Sequence, residues 1–249
     1  MILSAQHIAK SFGEKQVLTE VTFSLKKETI YVLMGANGSG KTTLFNVLTG
    51  FLKADKGVFS INNIALKSTS PHLINQQGIS RTFQDMRLIT ELTVLENILL
   101  AFPNQEGEKW WKVLFPNKKV TKEQLENNKK ASLILQDCFI DDVKGSKAGE
   151  ISYGQQKLLN LACCIANNTN VFLLDEPVAG VNPVYRDKLV EVIKKIKHKG
   201  KIILIIEHNT DFIEAVADKI MFLNEGKITN FSNYTLLRNN EMVQEAYLI

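Results

Sequence analysis

Apolar positions along the chain follow two periods, one typical of strands and one typical of helices. Continuous apolar runs lie in TIYVLM (29–34), VFLLDEP (171–177) and KIILIIEH (201–208), and each run stops at a glycine or a carboxylate residue. Such runs predict buried central strands. VLTEVTFSL (17–25) alternates apolar and polar residues, which predicts a half-buried strand. We therefore expect residues 1–33 to form short strands.

Helical patterns fill most of the chain between these strands. Residues 42–50 and most of 86–166 look helical, and residues 183–200 place their apolar side chains at the spacing of an amphipathic helix. GVFSINNIAL (57–66) predicts an edge strand or a hairpin. Because strands alternate with helices, the pattern predicts an α/β domain with a largely parallel sheet.

Composition narrows the class of protein. The 249 residues, 45% hydrophobic and 22% charged, are typical of a soluble globular protein. The net charge of +4 is compatible with an anionic ligand or a nearby membrane, but a solvated basic surface explains it better. No basic patch suggests nucleic acid. Three cysteines without C-x-x-C spacing favour a reducing compartment. No signal peptide or membrane span is visible, so we expect a cytoplasmic protein.

A phosphate-binding loop is predicted at GANGSGKT (35–42), which matches G-x-x-x-x-G-K-[ST] between an apolar strand and a helical pattern. Its glycines let backbone N–H groups converge on phosphate oxygens. Lys41 can reach the β- and γ-phosphates, the Thr42 hydroxyl can bind Mg²⁺, and Thr43 is placed for a further phosphate contact. A glycine-rich turn with a solvated lysine is the alternative. The expected nucleotide-binding residues are Gly35, Asn37, Gly38, Ser39, Gly40, Lys41, Thr42 and Thr43.

Two consecutive carboxylates end the second buried strand. Asp175 and Glu176 follow VFLL, and at a strand terminus both can reach the crevice at the carboxyl edge of the sheet. Asp175 is then a candidate Mg²⁺ ligand through water, and Glu176 is placed to polarise an attacking water. A plain strand-ending turn is the alternative for this sequence taken alone.

The motifs GANGSGKT, FQD, ISYGQQK, LLDEP and IIEH, in this order, resemble the nucleotide-binding subunit of ATP-binding-cassette (ABC) transporters. The resemblance spans nearly the whole chain. It implies a P-loop NTPase of the ABC type, with a mostly parallel core sheet, an antiparallel β subdomain and a helical subdomain. On this basis we expect a single ABC ATPase domain over residues 1–249, with its helical subdomain at about 86–166 and a C-terminal tail at about 232–249.

The resemblance also implies roles for individual residues. Phe12 matches the aromatic residue that stacks on adenine, with an edge-strand core residue as the alternative. Gln84 matches the glutamine that contacts Mg²⁺ or water. His208 matches the histidine that senses the γ-phosphate, with an ordinary turn residue as the alternative. Asn182, in AGVNP (179–183), stands where many members have aspartate.

The segment GEISYGQQKLLNLACC (149–164) has two compatible interpretations. Ser152 and Gln155 have the spacing of a helix capping box, which predicts a helix start with a buried apolar stripe behind it. The stripe would comprise Leu158, Leu161, Ala162 and Ile165. The resemblance implies in addition that Ser152, Gly154 and Gln155 complete, in trans, the ATP site of a second subunit. Without a side chain, Gly154 would let a phosphate approach the backbone.

The resemblance implies Mg²⁺-dependent ATP hydrolysis that drives a transmembrane permease. Lys41 would stabilise phosphate charge, Glu176 would activate water, and His208 would hold the γ-phosphate. GISRTFQDMRLITELTVLENILLA (78–101) and the run Tyr153–Gln156 most resemble the ATPases of branched-chain amino-acid importers. An exporter ATPase for lipid or polysaccharide, a soluble ABC ATPase without a permease, and a nucleotide-binding regulator with little turnover are the alternatives.

The implied partners are permease subunits, a second ABC ATPase subunit that is identical or related, and, indirectly, an extracytoplasmic substrate-binding protein. The protein would then lie on the inner face of the cell membrane. Because the binding protein and the permease select the substrate in such systems, the ATPase sequence leaves the substrate open. Trp110 and Trp111 lie in a polar insertion and predict either a small apolar cluster or a contact with the membrane partner.

Overall fold

The computed structural model describes residues 1–66, 70–84, 86–105 and 118–247, except for the side chains of residues 118 and 119. Trp110 and Trp111, and the last two residues of the C-terminal tail, lie outside the described residues. The strands in the described part of the chain are β1 (Ile2–Phe12), β2 (Lys15–Lys26), β3 (Thr29–Met34), β4 (Lys56–Ile61), β5 (Ile64–Ala65), β6 (Ile79–Arg81), β7 (Val171–Asp175), β8 (Ile202–Ile206), β9 (Lys219–Asn224) and β10 (Lys227–Phe231).

Helices connect these strands and form most of the middle of the chain. The described α-helices are α1 (Lys41–Leu48), α2 (Pro71–Gln76), α3 (Val94–Ala101), α4 (Lys118–Asp137), α5 (Tyr153–Ala166), α6 (Pro183–His198), α7 (Thr210–Val216), α8 (Tyr234–Arg238) and α9 (Glu241–Tyr247). The predicted helices at 42–50 and 183–200 are confirmed to within a few residues.

The chain divides into two compact units. The first comprises Met1–Gln84, Thr169–Ala179 and Ile193–Ile249. The second comprises Asp85–Asn168 and Gly180–Val192.

Two sheets form the first unit. Six strands are ordered β10-β9-β3-β8-β7-β6, with every neighbouring pair parallel except β10 and β9. The strands β7 and β8 are buried along their whole length, which explains their continuous apolar sequence. The second sheet is antiparallel, in the order β2-β1-β4-β5, and the predicted hairpin at 57–66 is confirmed. The predicted fold class is therefore confirmed.

The N-terminal strands are longer than predicted. β1 has 11 residues and β2 has 12, and they stay paired because the register shifts at several points, first between Ala5 and Ile8. His7 lies in this irregular stretch with φ 51°, which is the signature of a bulge. The prediction of short strands was wrong because alternation of apolar residues does not show where a bulge lets a strand continue.

The second unit is helical. The helices α3, α4 and α5 pack on one another around a core that includes Ile98, Leu135 and Leu158. A capping box starts α3: the Thr93 N–H donates to Glu96 Oε2 at 2.8 Å, and the Glu96 N–H donates to Thr93 Oγ1 at 3.2 Å. Of the helices in the described ranges, none is both long and apolar enough to cross a bilayer.

Candidate nucleotide site

The loop between β3 and α1 has the conformation that its glycines predict. Gly35, Gly38 and Gly40 all have positive φ, at 154°, 81° and 104°. A Cβ at Gly35 would collide with the Leu223 carbonyl oxygen and with Ser39 Oγ, so no other residue fits there. Positive φ at these positions curls the backbone just before the N-terminus of α1, where N–H groups are free to bind an anion.

Lys41 lies inside the curl of this loop. Its Nζ donates to the carbonyl oxygens of Gly35 at 2.7 Å and Ala36 at 3.0 Å, and the residue is only 8% exposed. Burial lowers the pKa of Lys41, while the charges of Glu176 and Asp175 oppose this shift. The two hydrogen bonds from the ammonium group therefore stabilise the curled conformation of the loop.

Two further features of the loop fit a phosphate group. Ser39 Oγ is buried and has no hydrogen-bond partner, which leaves a polar atom ready for a ligand oxygen. Asn37, Gly38 and Thr42 are exposed, and Thr43 is half-buried. The loop thus combines exposed residues with one buried hydroxyl that has no hydrogen-bond partner.

The carboxylate of Asp175 is held by an arginine that sequence analysis did not identify. Arg81 Nη2 donates to Asp175 Oδ2 at 2.7 Å, and the exposed fractions of the two side chains are 6% and 9%. Arg81 Nη1 donates to Asn46 Oδ1 at 2.6 Å, and the Asp175 N–H donates to Thr82 Oγ1 at 3.0 Å. Arg81 ends the short strand β6, which β8 and β7 separate from β3 and its phosphate loop, so nothing in the sequence near Arg81 indicated this contact.

The structure brings Gln84, Glu176 and His208 together. Gln84 Nε2 donates to Glu176 Oε2 at 3.0 Å, and His208 Nε2 lies 3.6 Å from Glu176 Oε1. Glu176 itself has φ 45°, a conformation that is uncommon outside glycine and that recurs at functional sites. These three side chains come from the ends of three chain segments, after β6, β7 and β8.

A second buried carboxylate supports this cluster. Glu207 is 3% exposed, and its oxygens accept hydrogen bonds from the backbone N–H groups of Val178 at 3.2 Å, His208 at 2.7 Å and Asn209 at 2.9 Å. Glu207 therefore fixes the backbone before His208. Sequence analysis included Glu207 in the motif IIEH but gave it no role, because its hydrogen bonds depend on the fold.

The predicted metal ligands suit magnesium by their chemistry. Thr42, Gln84 and Asp175 all offer oxygen atoms, which Mg²⁺ prefers, and all three belong to the first unit. Because Arg81 binds Oδ2 of Asp175, the other carboxylate oxygen is the one left for a metal or its water.

Phe12 lies at the end of β1 and is 49% exposed, so it is not a core residue of that strand. The ammonium of Lys10 lies 5.6 Å from its ring centroid. An exposed ring with a cation near one face is compatible with stacking on adenine, so Phe12 stays a candidate for adenine binding.

The remaining predicted residues, Ser152, Gly154 and Gln155, belong to the second unit. The predicted capping box is confirmed: the Gln155 N–H donates to Ser152 Oγ at 3.4 Å, and the Ser152 N–H donates to Gln155 Oε1 at 2.9 Å. The predicted apolar stripe is correct for three residues, but Ile165 is only half-buried. Leu159 and Cys164 are buried instead, because the helix is covered over a wider arc than one stripe.

Gly154 is buried against Tyr185. A Cβ at position 154 would lie 2.5 Å from Cγ and Cδ2 of the Tyr185 ring. A second glycine–tyrosine contact joins the same two segments in the opposite sense. Here the glycine is Gly180, and a Cβ at this position would lie 3.3 Å from Cε1 of Tyr153. Sequence analysis missed both contacts, because packing between a glycine and a distant ring leaves no motif.

Comparison with known proteins decides the family. The family model described as "ABC transporter" matches residues 18–179. The chain belongs to the ABC transporter family. The predicted resemblance is thus confirmed, and the chain is an ABC-type ATPase subunit.

Curated relatives in this ABC family match over nearly the full chain. A probable branched-chain amino acid transport ATP-binding protein, LivG, of Methanocaldococcus jannaschii is 38% identical and covers 91% of this chain and 88% of its own. The high-affinity branched-chain amino acid transport ATP-binding protein BraF of Pseudomonas aeruginosa is 30% identical, covering 99% and 97%. A solved ATP-binding cassette of an ABC transporter, in its ADP conformation, has a TM-score of 0.84 at 35% identity, covering 99% and 98%.

Proposed function

We propose that the first unit of this ABC subunit binds ATP and carries the groups that hydrolyse it. The convergence of Gln84, Glu176 and His208 carries the proposal, because three side chains from separate strand ends meet at the edge of the sheet that also bears the phosphate loop. In this proposal Glu176 orients and deprotonates the attacking water. His208 holds the γ-phosphate, and Gln84 keeps the Glu176 carboxylate in place.

The phosphate loop supplies binding energy and charge stabilisation. Its backbone N–H groups, Ser39 Oγ and the Lys41 ammonium would bind the β- and γ-phosphates, and Lys41 would exchange its carbonyl partners for phosphate oxygens. Mg²⁺, when bound, would neutralise phosphate charge, with Thr42, Gln84 and Asp175 as the residues that hold it. Phe12 would stack on the adenine.

The second unit would complete the site of another subunit. The helix start at Ser152–Gln155 presents N–H groups and the positive end of the α5 dipole, which suit a γ-phosphate. We therefore propose a dimer with an identical or a related ABC ATPase subunit. The helical subdomain at about 86–166 would carry this half of the site within a single ABC ATPase domain.

We propose import of branched-chain amino acids as the transport function. Support comes from the relatives named as branched-chain amino acid transport ATP-binding proteins, which match 91–99% of this chain at 30–38% identity. The partners would be membrane permease subunits and, through them, an extracytoplasmic substrate-binding protein. The chain would then work on the inner face of the cell membrane.

Reconstitution tests this function. The chain and the permease subunits that co-purify with it are placed in proteoliposomes with ATP inside or outside. The substrate-binding protein is added on the side opposite the ATPase, and uptake of labelled leucine is measured. We expect leucine uptake only when ATP is on the side of the ATPase, and loss of uptake in the Glu176→Gln variant. Amino-acid import would be refuted if the chain hydrolysed ATP but no permease co-purified with it. It would also be refuted if the co-purified permease did not transport leucine.

A further inference from the structure

Two tyrosine–glycine contacts join the helix start at Ser152–Gln155 to the segment Gly180–Tyr185. The ring of Tyr185 covers Gly154, and the ring of Tyr153 lies against Gly180. All four residues belong to the second unit. At Gly154 an added Cβ would lie 2.5 Å from the ring and cannot be accommodated without a shift, whereas at Gly180 the distance of 3.3 Å is a tight contact.

The backbone and the ring of Tyr185 each make a further contact. The Tyr185 N–H donates to Asn182 Oδ1 at 3.1 Å, which sets the first turn of α6. The ammonium of Lys188 lies 5.0 Å from the centroid of the Tyr185 ring and 5.9 Å from that of Phe139. The atoms that would meet a side chain at position 154 are Cβ, Cγ and Cδ2 of Tyr185; the backbone fixes Cβ, and Cγ and Cδ2 move only if the side chain rotates about χ1.

We propose that Tyr185 is a positioning residue for the helix start at Ser152–Gln155. Its ring, rather than phosphate access alone, requires glycine at position 154, and the same ring fixes where the first-turn N–H groups of α5 lie. The functional part of this inference rests on the proposed role of Ser152–Gln155 in completing a second subunit's site. Loss of the ring would then reduce turnover while ATP binding to the chain's own phosphate loop stays intact.

A double-mutant cycle tests the contact itself. Gly154→Ala should lower Tm by about 5 °C when Tyr185 is present, because the methyl group overpacks the interface. In the Tyr185→Ala background the same change should lower Tm by much less, because the ring atoms at 2.5 Å are gone and only the Cβ of residue 185, at 2.8 Å, remains. If Gly154→Ala alone does not fold, recovery of soluble protein by Tyr185→Ala is the equivalent result. An equal effect of Gly154→Ala in both backgrounds would overturn the inference.

A kinetic comparison tests the positioning role. In the assembled complex, Tyr185→Ala should reduce kcat about tenfold or more and leave the Kd for ATP within about twofold, whereas Tyr185→Phe, which keeps the ring, should retain kcat. Val184→Ala is the matched control, because Val184 precedes Tyr185 in α6 and is 65% exposed. Equal kcat for Tyr185→Ala and Val184→Ala would refute the role. If the unaltered chain bound no ATP, the proposed function would fail, while the Tm cycle would still decide the contact.

Discussion

The two predicted halves of the nucleotide site are held by different interactions. In the first unit, charged and polar side chains hold one another: Gln84 and His208 face Glu176, and Arg81 pairs with Asp175. In the second unit, the helix start is held by its own capping box and by the contact of Gly154 with a tyrosine ring. In our proposal the first half therefore carries the reactive groups, and the second contributes a fixed helix start with its backbone N–H groups.

Because of this difference, we expect substitutions in the two units to impair the protein in different ways. Substitutions in the first unit should remove chemistry or leave a buried charge without its partner. Substitutions in the second unit should change turnover through geometry, and ATP should still bind. The variants below test this distinction, in order of decreasing expected effect.

Replacing Glu176 should have the largest effect. Glu176→Gln keeps the shape of the side chain but removes the carboxylate that accepts the proton of water, so kcat should fall about 10³-fold while ATP affinity is retained. Steady-state phosphate release and nucleotide titration measure the two quantities. Glu214→Gln, an exposed glutamate in α7, is the control that should change neither. A kcat for Glu176→Gln equal to that of the unaltered chain would remove Glu176 from the chemistry.

Breaking the buried ion pair should affect folding more than any single surface change. Arg81→Met leaves the Asp175 carboxylate buried without its cation and should lower the free energy of unfolding by about 3 kcal/mol. Arg81→Lys keeps the charge and should lose less, because a lysine cannot bind Asp175 and Asn46 in the same forked geometry. Urea unfolding measures both variants against the exposed control Lys53→Met. Unchanged stability of Arg81→Met would show that the pair is dispensable.

The smallest expected effect concerns Phe12. Phe12→Ala should weaken ATP binding about fivefold through loss of stacking, with kcat and unfolding free energy nearly unchanged because the ring is exposed. Ile64→Ala, at a residue that is 72% exposed in the same sheet, is the matched control. Nucleotide titration of both variants decides the question. Equal affinities would leave Phe12 without a role in adenine binding.

The sequence was sufficient to predict what depends on local pattern. Buried strands such as Thr29–Met34, the positive φ of the loop glycines and the capping box at Ser152 all follow from residue types at fixed spacing. The bulge near His7 did not, since it depends on how β1 pairs with β2 and β4 on its two sides.

Contacts between residues far apart in the sequence also limited how much of the site could be predicted. Arg81 lies 94 positions from its partner Asp175, and Tyr185 lies 31 positions from Gly154, so no local motif connects either pair. Motifs located the reactive groups. The residues that hold those groups became visible only when the fold brought them together.

One measurement tests the division of roles most directly: ATP affinity and turnover of Ser152→Asp and Ser152→Asn in the assembled complex. Both replacements are good helix N-caps, so both should keep α5 and ATP affinity, and they differ in charge alone. We expect Ser152→Asn to keep most of kcat and Ser152→Asp to lose about 10²-fold, because a carboxylate would repel the γ-phosphate bound by the other subunit. Equal turnover of the two variants would contradict the proposal that this helix start binds phosphate.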